Sequence, residues 1–364
     1  MTINLQVPSL NPRSQLVGIT LTSGWTLVEK ISSPPGSTGG NFGQGYRAEM
    51  GEKIAFVKAI DFVDALRAPD PINELSKLTA IANFEREVLA YCSESGMSKV
   101  LKYFGHEYVS CDGSADLLSR VSCLIMEAGT EDLRGYINIK GAGSCAWNLQ
   151  VMCDVSQAIF QLHRGLIAHQ DIKPSNIIAV KGRAGQPEMM KVGDLGRVVR
   201  RNQAGPFDTV AWPGDRQYCP PERWYGYTPS DWCDARDSAD AYMLGSLLIF
   251  LFTGATLQTL VTPHIPDSFK WTQWTGRYDD DLLPVLVDAH IKVLNESLLP
   301  FLLPEIADGV MDIAKNLTHP DPLKRGDKNS RKETGRPVGI DRIFQKMRML
   351  SLRATAIERG GRRP

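Results

Sequence analysis

A change of periodicity near Glu127–Thr130 constrains the fold of this chain more than any other feature of its sequence. Before that point, short runs rich in apolar and β-branched residues dominate. Gly24–Ser32 (GWTLVEKIS), Lys53–Ile60 (KIAFVKAI), Val100–Val109 (VLKYFGHEYV) and Val121–Ala128 (VSCLIMEA) read as strands, and a further strand begins at Tyr46 after a Gly/Pro-dense loop. One long segment here, Asn73–Ser95, has apolar residues at helical spacing with Glu and Lys between them, and reads as a helix. After Thr130 the pattern turns helical. Trp147–Ile167 is a strong amphipathic helix, short strands surround Asp194, and the chain beyond Glu222 reads mainly as helix, with loops around 231–238 and 263–277. A strand-rich front followed by a helix-rich back argues for an α+β protein of two lobes rather than an alternating α/β sheet.

The expected organisation is an irregular leader over 1–22, with Pro8 and Pro12, then one large domain over 23–330. Its β-rich lobe with one main helix covers 23–126, the connection 127–130, and the larger helical lobe 131–330. A basic tail follows over 331–364. Ile343, Phe344, Met347 and Leu350 lie there at helix-like spacing, which predicts a partly helical segment packed on the back lobe.

Lys and Arg number 41, as do Asp and Glu, so the formal net charge is zero and no nucleic-acid or anionic-membrane partner is expected. The cysteines, at 92, 111, 123, 145, 153, 219 and 233, are odd in number and lack CxxC spacing, which fits a reduced compartment. Met1–Gln15 lacks a basic-then-apolar leader, and the apolar stretch Ala241–Ala255 is too short to span a bilayer. A cytoplasmic protein without a membrane span is the expectation.

His169–Asn176 reads HQDIKPSN and leads into the apolar run Ile177–Val180. Phosphoryl transfer to a hydroxyl needs a carboxylate to orient the hydroxyl and take its proton, a cation near the moving group, and oxygen ligands for a metal. Asp171, Lys173 and Asn176 are those group types within one loop, which Pro174 stiffens. Downstream, KVGDLG places the carboxylate of Asp194 on a turn after a short strand, suited to a magnesium ligand. Upstream, TGGNFGQGY carries glycines at 39, 40, 43 and 45, which let backbone approach phosphate oxygens. Lys58 then ends the strand run AFVK, where a lysine is costly without a partner; Glu87 on the following helix is the expected partner, with Glu85 as fallback.

In order and spacing these motifs resemble the eukaryotic-type (Hanks-type) serine/threonine protein kinases, over roughly residues 23 to 330. The resemblance implies a bilobal kinase-like fold and ATP- and Mg2+-dependent transfer to Ser or Thr hydroxyls of protein substrates, with Mn2+ an acceptable substitute and a regulatory protein partner a further expectation. It implies that Gly40, Phe42 and Gly43 form the phosphate loop and that Lys58, paired with Glu87, holds the α- and β-phosphates. Met126 becomes the gatekeeper, the backbone of Glu127 and Ala128 the adenine site, and Asp132 the ribose contact. Gly45 and Phe56 flank the adenine. Asp171 becomes the base, Lys173 the neutralising lysine, and Asn176 and Asp194 the metal ligands. CPPERW resembles the end of the activation segment, with Glu222 paired to Arg325, and Asp240 matches the acid that braces the catalytic loop.

Four departures from the family involve five positions. Thr38 stands where its first loop glycine would be. Gly45 and Phe56 exchange a small and a large residue at the adenine sandwich, so that Phe56 is expected to fill space left by Gly45. Gln170 replaces the arginine that binds an activation-loop phosphate, so activity is expected to be independent of that phosphate, with Thr209 an exposed loop threonine. Asp215 replaces a threonine and is expected either to pair with Lys173 or to repel Asp171. Asp215 and the altered sandwich keep a pseudokinase scaffold as an alternative. HQDIKPSN alone also admits a small-molecule kinase of related fold.

Overall fold

Period-two alternation organises the front half of the chain. In the computed structural model, which describes residues 11–32, 43–111, 119–141, 143–182, 188–212, 214–332 and 338–360, the chain divides into two units, Met1–Thr130 and Glu131–Pro364. The first unit holds an antiparallel sheet of β1 (Thr26–Ile31), β2 (Gln44–Met50), β3 (Lys53–Ile60), β4 (Tyr103–Ser110) and β5 (Arg120–Glu127), in the order β1-β2-β3-β5-β4. Tyr46, Ala48, Ala55, Val57, Ala59, Val121, Cys123 and Ile125 share one face and are buried together. Register places Gly45 opposite Lys58, Phe56 opposite Met126, and Lys58 opposite Leu124, so these residues share the other face. Between β3 and β4 come the short helix α1 (Val63–Leu66) and the long helix α2 (Pro71–Glu94). Pro71 at its first turn and Asp70, which accepts the Asn73 N–H at 3.2 Å, start α2.

The segment from Asn11 to Thr22 is irregular in backbone, with one short 3-10 turn over Pro12–Ser14, yet it packs on the sheet. Leu16 and Leu21 join Trp25 and Leu27 in the sheet core. Tyr46 donates its hydroxyl proton to the Arg13 carbonyl at 2.6 Å, and the Arg13 N–H donates to Asp61 at 3.0 Å. A sheet face as apolar as this one needs a cover. Leu16 and Leu21 supply it, with Ile19 packed beside them.

The second unit begins with β6 (Glu131–Asp132), α3 (Leu133–Lys140) and α4 (Cys145–Arg164). The short strands β7 (Ile167–Ala168), β8 (Ile177–Val180), β9 (Met189–Val192) and β10 (Val199–Arg200) follow. Then come α5 (Pro221–Trp224), α6 (Ser238–Thr253), α7 (Leu257–Val261), α8 (Leu283–Val293), α9 (Pro304–Leu317) and α10 (Ile340–Gly360). Every residue of α6 except Phe250 and Thr253 is buried, which explains its continuous apolar composition. A side chain at Gly245 would meet Leu317 and Thr318 within 2.8 Å, so glycine there permits close approach to the end of α9. Among the described residues no single helix is long and apolar enough to cross a membrane; Cys233–Thr253 and Leu257–His264 reach that length only together, across a 78° bend.

Helix α10 buries Ile340, Ile343, Met347, Ser351 and Ala354, a stripe at three- and four-residue spacing. Glu358 accepts the Ala146 N–H at 2.9 Å, satisfying a free amide at the start of α4. Ser351 donates to Gln150 at 3.2 Å, and Lys346 pairs with Asp327 at 2.8 Å. The tail is therefore part of the second unit's packing.

Candidate active site

In the first unit, strand alternation sends Lys58 away from the sheet core, to where α2 offers it a carboxylate. Its ammonium lies 2.8 and 2.9 Å from the two oxygens of Glu85, whose side chain is 3% exposed. The assignment of Glu87 as partner is thus corrected to Glu85. Helical phase gives the reason: Phe84, Glu85, Val88, Leu89 and Cys92 form the buried stripe of α2, while Glu87 is exposed. A half-buried lysine with a two-oxygen partner keeps its charge without an unpaired ion in the interior.

Gly43 and Gly45 precede Lys58 across the β2–β3 hairpin. A Cβ at Gly45 would lie 2.9 Å from the Phe56 ring, so Phe56 occupies the space that Gly45 leaves. A Cβ at Gly43 would lie 3.1 Å from both the Ala59 carbonyl and the Lys58 side chain. Gly40, Phe42 and Thr38 lie outside the described residues. Met126, 6% exposed, pairs with Phe56 on β3 and Tyr103 on β4 at the end of β5. Glu127 donates its N–H to the Lys102 carbonyl at 2.8 Å, and its carboxylate accepts the Lys102 N–H at 3.1 Å. Ala128 follows outside the sheet.

In the second unit, the His169–Asn176 loop is buried and tightly specified. Asp171, Lys173 and Asn176 are 4%, 5% and 3% exposed. Asn176 donates its side-chain N–H to the Asp171 carbonyl at 2.8 Å and to the Asp171 carboxylate at 3.2 Å. Lys173 lies 3.2 Å from the same carboxylate oxygen. The other oxygen accepts the Asp215 N–H at 2.9 Å. The Asp215 carboxylate turns instead toward Lys173, at 3.9 Å, so of the two expectations for Asp215 the pairing with lysine is the one realised.

Gly214 makes this contact possible. Its φ is +62°, and a Cβ there would lie 2.4 Å from the Gln170 carbonyl and 2.5 Å from the Asp171 carboxylate. Sequence reading missed Gly214; a glycine directly before the departing Asp215 was the available signal.

Pairing of β8 with β9 sets Ile177 against Val192 and brings Asn176 beside Gly193. The Gly193 N–H donates to the Asn176 carbonyl at 2.8 Å. His169 accepts the Asp171 N–H on Nδ1 at 3.2 Å, so its proton sits on Nε2, which donates to the Gly193 carbonyl at 3.1 Å. Asp194 leaves this anchor with φ +51° and an exposed side chain. No cluster of three His, Cys, Asp or Glu side chains at metal-binding spacing occurs among the described residues. The candidate donors are one amide oxygen and one carboxylate, a hard-oxygen pair that suits Mg2+, an ion that keeps water and phosphate oxygens for its remaining positions. Asp132 caps α3 by accepting the Gly135 N–H at 2.8 Å.

Asp240, fully buried at the start of α6, braces the loop. It accepts the backbone N–H groups of His169 at 2.7 Å and Gln170 at 2.8 Å, the Gln170 side chain at 3.0 Å, and His163 at 3.0 Å. Burial alone would push the His163 pKa down; Asp237 and Asp240 outweigh it and raise the pKa above its ordinary value. Arg325 and Glu222, each 0% exposed, meet through two parallel hydrogen bonds of 2.9 and 2.8 Å.

The protein kinase domain family matches residues 41–326 of this chain. A probable serine/threonine-protein kinase PknB of Bifidobacterium longum is 32% identical over 179 residues, 48% of this chain and 24% of that protein. Serine/threonine-protein kinase A of Synechocystis is 24% identical over 259 residues, 70% of this chain and 44% of the relative. Serine/threonine-protein kinase PknB of Mycobacterium tuberculosis is 32% identical over 124 residues, 34% and 18% of the two chains. The matched region covers less than half the length of each of these relatives.

Proposed function

The chain belongs to the protein kinase family, and from that premise we propose that it is a serine/threonine protein kinase, transferring the γ-phosphoryl group of ATP to hydroxyls of protein substrates with Mg2+. The observation that carries this reading is the buried Asp171–Lys173–Asn176 loop, hydrogen-bonded through Asn176 and His169 to the residue before Asp194. The names of the relatives and the lysine two places after Asp171 support Ser and Thr as acceptors.

In this mechanism Asp171 accepts the hydrogen bond of the acceptor hydroxyl. As the hydroxyl oxygen bonds to the γ-phosphorus and the bridging P–O bond to ADP breaks, the hydroxyl proton passes to Asp171. The Asp215 N–H and the Asn176 amide hold the Asp171 carboxylate in one orientation, so little reorganisation accompanies the transfer. Lys173 supplies positive charge beside that carboxylate. Lys58, fixed by Glu85, holds the α- and β-phosphates. The Glu127 carbonyl, whose own N–H is already used by Lys102, and the Ala128 backbone take the adenine edge, with Met126 as gatekeeper and Asp132 toward the ribose. Mg2+, when held by Asn176 and Asp194, supplies charge neutralisation for the phosphates. We place the protein in the cytoplasm.

One observation favours a second reading, a pseudokinase scaffold: the Asp215 carboxylate sits 3.9 Å from Lys173, where it competes with a phosphoryl group for the ammonium. Radiolabelled ATP, offered with a basic protein and with small hydroxylated acceptors, separates the possibilities. Label recovered as phosphoserine or phosphothreonine supports the kinase. Label on small molecules alone would indicate the small-molecule alternative, and nucleotide binding without transfer would indicate the scaffold.

A further inference from the structure

Gln170 carries an uncharged side chain where the family's phosphate-binding arginine would stand, yet it is 2% exposed and fully engaged. Its backbone is held at φ +62°, an uncommon conformation for a residue with a side chain. Besides its bonds to Asp240, its amide donates to the Arg236 carbonyl at 3.0 Å and accepts from the Arg236 guanidinium at 3.3 Å. Arg236 belongs to the π-helical turn Cys233–Asp237 that leads into α6. Its other terminal nitrogen donates to the main-chain carbonyl of Asp208. Asp208 closes a turn by accepting the Gly205 N–H at 2.8 Å, and lies between the Asp194 turn and the Pro221–Glu222 segment.

Arg236 makes no ion pair among the described residues, although burial and the nearby Arg223 both press against its charge. The carboxylates of Asp208 and Asp240 favour that charge from beyond ion-pair distance, while the guanidinium hydrogens go to a carbonyl and an amide and so hold the two segments together.

Building on the kinase reading above, we propose that Arg236 is a positioning residue: through Gln170 and the Asp208 carbonyl it fixes the segment around 205–210 against the catalytic loop in the unphosphorylated chain. The cation missing at position 170 is thereby supplied from the front of α6. It grips the main chain directly, and no phosphate is needed to bridge the two.

The test compares wild type, Arg236→Ala and Arg236→Lys, all phosphatase-treated, by amide hydrogen exchange and by steady-state kinetics. The Gly205, Asp208 and Val210 amides, each hydrogen-bonded in this turn, should exchange faster in Arg236→Ala and recover in part in Arg236→Lys, while amides of α9 are unchanged. KM for the protein acceptor should rise about tenfold in Arg236→Ala, the equivalent of one lost charge-assisted hydrogen bond, with KM for ATP unchanged. Unchanged exchange at the three amides would overturn the proposal, as would faster exchange with an unaltered acceptor KM. A treated wild type that is inactive until its segment is phosphorylated would also overturn it. If wild type transfers no phosphate under any condition, the kinase reading fails. The anchoring role then stands or falls on the exchange data alone.

Discussion

Removing either partner of the Arg325–Glu222 pair should be among the most damaging single changes in the second unit. Both side chains are completely buried. Arg325 also donates to the carbonyls of His319 at 2.8 Å, Pro320 at 2.9 Å and Ser238 at 3.1 Å, and its guanidinium lies 5.0 Å from the centre of the Tyr242 ring. Burial by itself would lower the Arg325 pKa; the attraction of Glu222 reverses the effect, so Arg325 keeps its charge. Glu222→Gln leaves a buried cation facing a neutral amide, and Arg325→Met leaves a buried carboxylate with no donor. Each should cost about 3–5 kcal/mol, the range for breaking a buried pair.

Urea unfolding followed by tryptophan fluorescence is a suitable assay, because six of the seven tryptophans lie after residue 130 and report on the second unit. With a denaturant slope of about 3 kcal/mol per molar, the upper end for small proteins, the midpoint should fall by about 1–2 M. The double variant Glu222→Gln with Arg325→Met removes both charges, so its loss should be smaller than the sum of the singles by at least about 2 kcal/mol. A loss below about 1 kcal/mol in both singles, the magnitude of an exposed pair, would show that burial does not set the strength of this pair.

Other outcomes follow from the same structure. Glu85→Gln should raise KM for ATP and lower kcat/KM by about tenfold or more, whereas Glu87→Gln on the exposed face should leave both near wild type; equal effects would contradict the pairing. Gly45→Val should weaken ATP binding strongly in the presence of Phe56 and much less alongside Phe56→Ala, since the added side chain meets that ring; strictly additive changes in KM would rule out the exchange of volume. The raised His163 pKa predicts a contribution to stability that is complete below about pH 6.5, the unfolded value, and is lost as pH rises through the folded pKa. His163→Gln should therefore flatten unfolding stability against pH above that value, and an unchanged slope would exclude the coupling.

What was legible in the sequence was chemistry held in contiguous residues. Asp171, Lys173 and Asn176 share one loop, and the strand pair that carries Asn176 to Gly193 is short and apolar enough to read directly. The change from strand to helix spacing near Thr130 coincides with the boundary between the two units because each lobe buries its apolar residues with its own period. Glu85 was also within reach, since the phase of Phe84, Val88, Leu89 and Cys92 places it on the buried stripe; matching to a family spacing selected its exposed neighbour instead.

The rest depended on contacts between distant segments. Gln170 and Arg236 are 66 residues apart, His163 and Asp240 are 77, and Ala146 and Glu358 are 212. No local period announces such pairs. The packing of Asn11–Thr22 on the sheet is illegible for a related reason, because the short apolar run Leu16, Val17, Ile19 and Leu21 does not show which distant face it covers.

Phosphoryl transfer by this chain is best measured with γ-labelled ATP and Mg2+ in wild type, Asp171→Ala and Lys58→Met, using a basic protein as acceptor and monitoring nucleotide binding in parallel. Wild type should transfer phosphate, Asp171→Ala should lose at least about a thousandfold with nucleotide still bound, and Lys58→Met should also lose activity. Transfer that persisted undiminished in Asp171→Ala, or a wild type that bound ATP and transferred nothing, would contradict the proposed mechanism.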